Sequence, residues 1–318
     1  MAGPGFVHLH VHSAYSLLEG ALPLGTILNL AAKDGQPAVG IADTNNLFGA
    51  LEFSEKAAGK GIQPIIGCEL AIDFGDLDLR GNERLNMGKS TLVLIAATGE
   101  GFSNLSRLVS RAYLQNADGR AVAPIAWLTR EGTEGIICLT GGPEGAIDPA
   151  LAAGLDALAT ARLMALAERF GDRLYVEIQR HDRPGENATE PKLIDLAYLH
   201  DLPLVATNEP YFPTRDDYES HDALLAIAAG SVIAQTERRK LSDQHYYKTR
   251  EEMIALFSDL PEAVANTVEI AQRVSYRPRE IAPILPKFAA APELDEEEAV
   301  AAEAGELARQ AREGLAAR

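Results

Sequence analysis

The stretch FVHLHVH, residues 6–12, alternates apolar residues with His8, His10 and His12. Side chains of an extended strand point to opposite faces with period two, so the three imidazoles share one side if the strand runs straight. Imidazoles at that spacing can converge on a metal ion, and the C-terminal end of a first barrel strand is where barrel enzymes assemble their sites. The same pattern also suits a polar strand end whose histidines are simply hydrogen-bonded.

Outward from this stretch, short apolar runs alternate with helical patterns. FVHLH is followed by a helix near LGTILNLAAKDG, the run PAVGIAD, a helix near NLFGALEFSEKAAGKG and the run QPIIGCELAI. The rhythm continues through TLVLIAA, GFSNLSRLVSRAYL, GIICLT, LDALATARLMALAERFG, LYVEIQ, EPKLIDLAYLHD and PLVAT. Such alternation predicts βαβ units, and seven strands over about two hundred residues fit a parallel barrel better than an open sheet. GDLDLRGNERLNMGKS reads as an exposed excursion or hairpin between two strands. Beyond PLVAT the strands stop, and SHDALLAIAAG, REEMIALFSDL and PEAVANTVEIAQRV read as helices that brace the barrel. The Ala/Glu-rich tail predicts a solvated helix whose packing partner lies outside the chain, as in a piece of a longer protein.

With 318 residues, 47% hydrophobic and 24% charged, the composition is globular. No apolar run approaches the ~20 residues needed to cross a bilayer, and MAGPGFVHLH lacks a signal-peptide layout, so a soluble cytoplasmic protein without membrane contact is expected. Cys68 and Cys138 each sit in an apolar run and read as reduced core residues. A net charge of −17 makes this segment a poor DNA clamp, because phosphate binding draws on surplus Lys and Arg.

Strand ends carry the other candidates: Asp43 after PAVGIA, Glu69 in QPIIGCEL, His181 and Asp182 after LYVEIQ, and Glu209 after PLVAT. Singly each has a bland role: Asp43 a helix cap, Glu69 a partner of a lysine, His181 an exposed turn residue, Glu209 a turn before Pro210. Together, at one barrel mouth, they favour a hard-metal or phosphate site. The TGGPEG loop lacks the Gly-Lys-Ser/Thr of a Walker A motif, and neither GxGxxG nor GxSxG occurs in a suitable setting.

FVHLHVHSAYSLLEG, IADTNNLFGALEF, PIIGCEL, VATNEPYF and SHDALLAIAAG, in that order, resemble the PHP (polymerase and histidinol phosphatase) domain of bacterial DNA polymerase III alpha subunits of the replicative type. KTREEMIALFSDLPEAVANTVEIAQRV and LPKF extend the resemblance over nearly the whole chain. It implies an α/β fold, a distorted (β/α)7 barrel followed by C-terminal helices, with residues 1–284 as the PHP barrel and 285–318 as the start of the linker toward the polymerase core. It also implies a mouth able to hold three metal ions for phosphoester hydrolysis. His10 and His12 match the family's HxH pair, Glu19 stands where an Asp is usual, Asp43 matches the Asp of an Asp-His pair, and Glu69 matches a ligand Glu. Thr44, Thr91, Gly142 and Tyr211 stand where the family carries further ligands, and Thr, Tyr and Gly replace imidazole poorly at zinc. The resemblance thus implies a remnant site of His10, His12, Glu19, Asp43, Glu69 and Glu209 that takes one divalent ion (Zn, Mn or Mg) at low occupancy. The parent chain would be a DNA-directed DNA polymerase using Mg in a core absent from these residues. Its partners would be the rest of the alpha subunit, the proofreading exonuclease subunit and the replisome, with DNA held mainly by other domains. The alternative is a PHP phosphoesterase or residual proofreading exonuclease.

Overall fold

A computed structural model describes residues 5–75, 79–80, 83–84, 90–116, 120–235, 237–283 and 295–318. The chain divides into two compact units, Met1–Arg279 and Glu280–Arg318. In the first, a mixed sheet has the order β1 (Ala38–Thr44), β2 (Gln63–Asp73), β5 (Thr91–Ala96), β7 (Ile136–Leu139), β8 (Leu174–Gln179) and β9 (Leu204–Thr207). A short strand not expected from the sequence, β6 (Val122–Pro124), pairs with the end of β2. A separate two-residue ladder joins β3 (Leu79–Arg80) to β4 (Glu83–Arg84) inside the expected excursion. Residues 76–78, 81–82 and 85–89 of that tract, and LPKF, lie outside the described residues.

Two features depart from a parallel barrel. β5 runs antiparallel to both β2 and β7. The β2–β5 connection carries the β3–β4 ladder, so the strand that follows it can return antiparallel without a helical crossover. Residues 6–12 are also not a regular strand. Gly40 N–H donates to the His8 carbonyl (2.7 Å), but Ala42 N–H donates to that of Val11 (2.9 Å), so three steps on the first segment face two on β1. Such a bulge breaks period two. Gly40 permits the close approach: a Cβ there would lie 2.8 Å from the Leu9 carbonyl oxygen. On the other side, His12 N–H donates to the carbonyl of Pro210, just past β9 (3.1 Å), so this segment joins the two ends of the curled sheet.

Helices α1 (Leu24–Lys33), α2 (Ala50–Gly59), α3 (Gly99–Leu114), α4 (Asp148–Ala152), α5 (Asp156–Phe170) and α6 (Pro184–Leu199) cover the sheet's outer face. α6 begins earlier than EPKLIDLAYLHD suggested, because Pro184 suits a first helical turn. The expected braces are α7 (Tyr218–Ala228), α8 (Arg250–Leu256) and α9 (Pro261–Arg273). α9 packs Ile270 and Ala271 into the core with Val7, Ala38 and Val205, and its Thr267 hydroxyl accepts from Val7 N–H (3.0 Å). Cys68 and Cys138 are free and buried. In the second unit, α10 (Glu296–Ala316) opens on an Asp295–Glu298 capping box and buries little besides Ala299. Among the described residues no helix is long and apolar enough to cross a membrane.

Candidate metal centre

The bulge separates His8 from the other two histidines. His8 turns away, its Nε2 against the Lys248 carbonyl (2.8 Å) and its ring on Tyr247 (4.2 Å between centroids). His10 and His12 stay together with centroids 5.1 Å apart. Glu209, in a left-handed backbone conformation (φ 49°) just beyond β9, joins them. One ligand atom from each of the three lies within 4.8 Å of the others, and all three residues are buried.

The partners of each ring decide which nitrogen faces inward. His10 Nδ1 bonds Glu177 Oε1 (2.8 Å), a carboxylate fixed by Thr207 Oγ1 (2.5 Å) and by Gly141 N–H on its other oxygen (2.9 Å). His12 Nδ1 bonds Ser16 Oγ (3.0 Å), whose own proton goes to Asp43 Oδ1 (2.7 Å). That assignment makes Nδ1 the donor in both rings and leaves each Nε2 with its lone pair. His10 Nε2 and His12 Nε2 are buried without a hydrogen-bond partner. Two inward-facing imidazole lone pairs beside a carboxylate are a donor set that fits a divalent ion, each imidazole being oriented from behind by a hydrogen-bonded group.

Electrostatics set a condition on that fit. Burial would depress His10, but the Glu177, Glu209 and Glu69 carboxylates together outweigh it and lift the ring to about 9, so below that pH an ion binds by displacing the Nε2 proton. Burial would raise Glu209, yet its contact with His12 and the charges of His10 and His12 bring it well below the usual carboxylate range. The His10 shift reflects the surrounding carboxylates and the Glu209 shift the neighbouring imidazoles.

The other predicted residues surround this trio. Glu69 Oε2 is 4.0 Å from His12 Nε2, the next carboxylate out. Glu19 Oε2 accepts from Thr44 Oγ1 (2.9 Å) and faces Arg239 Nη1 at 3.6 Å. Asp43 is not brought to the trio, nor does it cap a helix. It accepts from Ser13 N–H (2.7 Å), Ser13 Oγ (2.8 Å) and Ser16 Oγ (2.7 Å), and so organises the loop after His12. Tyr211 stacks on His12 (4.2 Å, 10°) and donates to Glu209 Oε1 (2.6 Å). Thr91 Oγ1 donates to the Glu144 carbonyl (3.4 Å), and Gly142 (φ 60°) lies where a Cβ would strike the Gln179 amide at 2.6 Å. His181 is fully buried rather than an exposed turn residue: it bonds Glu186 Oε1 (2.9 Å) and stacks on His245 (3.7 Å).

Sequence reasoning missed two residues, Glu177 and Arg239. Glu177 had a signal, being the one charged residue in the buried run LYVEIQ. Arg239 had none.

Residues 8–181, more than half of the chain, match the family model described as PHP domain. The chain belongs to the PHP domain family. His10, His12, Glu69 and Glu177 lie within the matched span and Glu209 beyond it. Over 315 residues the chain is 46% identical to the DNA polymerase III subunit alpha of Caulobacter vibrioides, covering 98% of this chain and 26% of that protein. Over 292 residues it is 38% identical to the subunit of the same name from Escherichia coli K12, covering 91% and 24%. The chain thus spans about a quarter of the length of these relatives. An amidohydrolase structure from Chromobacterium violaceum aligns with 69% of this chain and 96% of its own, at a TM-score of 0.45 and 13% identity, too distant to bear on chemistry.

Proposed function

We propose that this chain is the PHP portion of a bacterial replicative DNA polymerase subunit, acting as a structural and docking module with a reduced metal centre. Supporting this reading is the 46% identity spread over 98% of the chain, against a relative nearly four times as long. Nucleotidyl transfer and its Mg belong to a core outside these residues, and DNA is gripped mainly there, in keeping with the net charge of −17 here. Residues 1–284 form the PHP barrel with its braces, and 285–318 begin the linker toward that core. The protein works in the cytoplasm within the replisome, and the barrel offers a surface to the proofreading exonuclease subunit.

Within the centre, His10, His12 and Glu209 would hold one ion, with Zn or Mn suited to the imidazoles and Glu69 as the nearest further carboxylate. A bound divalent ion there would acidify a water and polarise a phosphoryl oxygen. The chain's own contribution is orientation: Glu177 and Ser16 set the two rings, and Tyr211 holds Glu209 while closing one side. The second reading, phosphoester hydrolysis or residual proofreading at this centre, draws on the two unpartnered Nε2 atoms. Metal analysis with a phosphodiester hydrolysis assay separates the two. Turnover lost in His10→Ala would overturn the docking reading. Failure of the folded chain to bind the exonuclease subunit would leave it a structural role alone.

A further inference from the structure

Arg239 lies beside the trio, in the irregular segment between α7 and α8, with its guanidinium among the groups of the mouth. Its Nε donates to Glu144 Oε1 (3.2 Å), Nη1 is 3.6 Å from Glu19 Oε2, and Nη2 donates to the Tyr211 hydroxyl (3.3 Å). It also sits over the Tyr211 ring at 5.7 Å. Glu19, Glu69, Glu144 and Glu209 crowd this mouth, and a planar cation with five donors can serve several of them at once.

The four positions where the PHP resemblance expects further ligands all bear on this guanidinium or its partners. Thr44 donates to the Glu19 oxygen that faces Arg239, and Tyr211 links Arg239 to Glu209. Thr91 bonds the Glu144 backbone, and Gly142 begins the short turn Gly142–Glu144 that carries Glu144 to the arginine. In each case the residue present suits hydrogen bonding to a fixed side chain, or a tight turn, better than coordination of an ion.

We infer that Arg239 is a built-in counter-cation: it takes the place of further divalent ions at the mouth and limits the centre to the single position at His10, His12 and Glu209. This rests on the metal reading above only for that single position. Exclusion of further ions stands on the Arg239 contacts alone.

The test titrates Mn2+ into the 318-residue chain and into Arg239→Met, counting bound equivalents and following thermal unfolding in EDTA and in Mn2+. Arg239→Met should bind one equivalent more than the parent, melt below it in EDTA, and recover in Mn2+. Arg239→Lys, which keeps the charge, should keep the parent's stoichiometry. Equal stoichiometry in parent and Met variant, without recovery by Mn2+, overturns the inference, as does a gain of metal in Arg239→Lys. A Met variant that folds only with Mn2+ supports it, and one that folds under neither condition counts against it. A parent binding no Mn2+ beside a Met variant that gains it would sink the single-ion reading and leave this one standing. A parent binding one equivalent with no gain in the variant does the reverse.

Discussion

His10 Nδ1 lies 2.8 Å from Glu177 Oε1 across 167 residues of chain, with both side chains wholly buried. A carboxylate behind a ligating imidazole orients the ring and raises its basicity, and loss of such a partner typically weakens metal binding ~10–100-fold. Glu177→Gln is therefore expected to reduce Zn2+ affinity by about that factor, read by competition with a chromogenic chelator. Glu177→Ala strands a buried imidazole and should destabilise the fold by about 3–5 kcal/mol in urea unfolding.

Asp43 gives a contrasting expectation, because its three hydrogen bonds go to Ser13 and Ser16 and none to the trio. Asp43→Ala should destabilise the chain by about 1.5–3 kcal/mol, the range for a hydrogen bond to a charged group. Metal affinity should fall only through His12, whose Ser16 support loosens. A calorimetric titration in which Asp43→Ala lost all binding while His12→Ala kept some would contradict this division of roles.

Gly20 holds Glu19 in place. A Cβ on Gly20 would come within 2.0 Å of the Ser13 carbonyl oxygen, a backbone atom that cannot simply rotate away. Gly20→Ala is expected to cost about 1–3 kcal/mol, as overpacking does, and to move Glu19 off the Thr44 hydroxyl. Unchanged denaturant midpoints would disprove the tight approach.

Lys248 supplies a pH dependence. Its ammonium donates to Asn208 Oδ1 (2.7 Å) and to the Gln244 carbonyl, but burial brings it down to about 8 from an ordinary 10.5. Below pH 8 both folded and unfolded chains carry the charge, so the burial penalty is felt in full. Between about 8 and 10.5 the unfolded chain holds the extra proton, and stability from this residue rises with pH. The gap amounts to about 3 kcal/mol. Subtracting the stability curve of Lys248→Met from that of the parent should reveal this rise, and a flat difference from pH 7.5 to 10.5 would refute it.

Much of this fold was legible because buried strands read as apolar runs and their helices as periodic ones. Direction was not. TLVLIAA looks the same whichever way it runs, and its antiparallel setting follows from the connection before it. Period two grouped His8 with His10 and His12, and only the HxH resemblance singled out the latter pair; the departure of His8 comes from a backbone step opposite Gly40 that no side-chain pattern encodes. Glu209 was visible at its strand end. Asp43 looked equally like a ligand, since a carboxylate at a strand end reads alike whether it meets a metal or two serines. Arg239 stayed hidden within AQTERRKLSD, whose charges have the look of a solvated surface.

The segment carrying His10 and His12 has its hydrogen-bonding neighbours at both ends of the sheet, β1 close by and Pro210 far along the chain. On a ribosome adding ~5–20 residues per second, those two histidines emerge roughly 10–40 s before the residues that complete their surroundings. During that interval the imidazoles and the growing edge of β1 are open to any passing cation or strand. Closure of the ring, and with it assembly of the centre, therefore waits for Glu209 and Pro210, which are made well after His10 and His12.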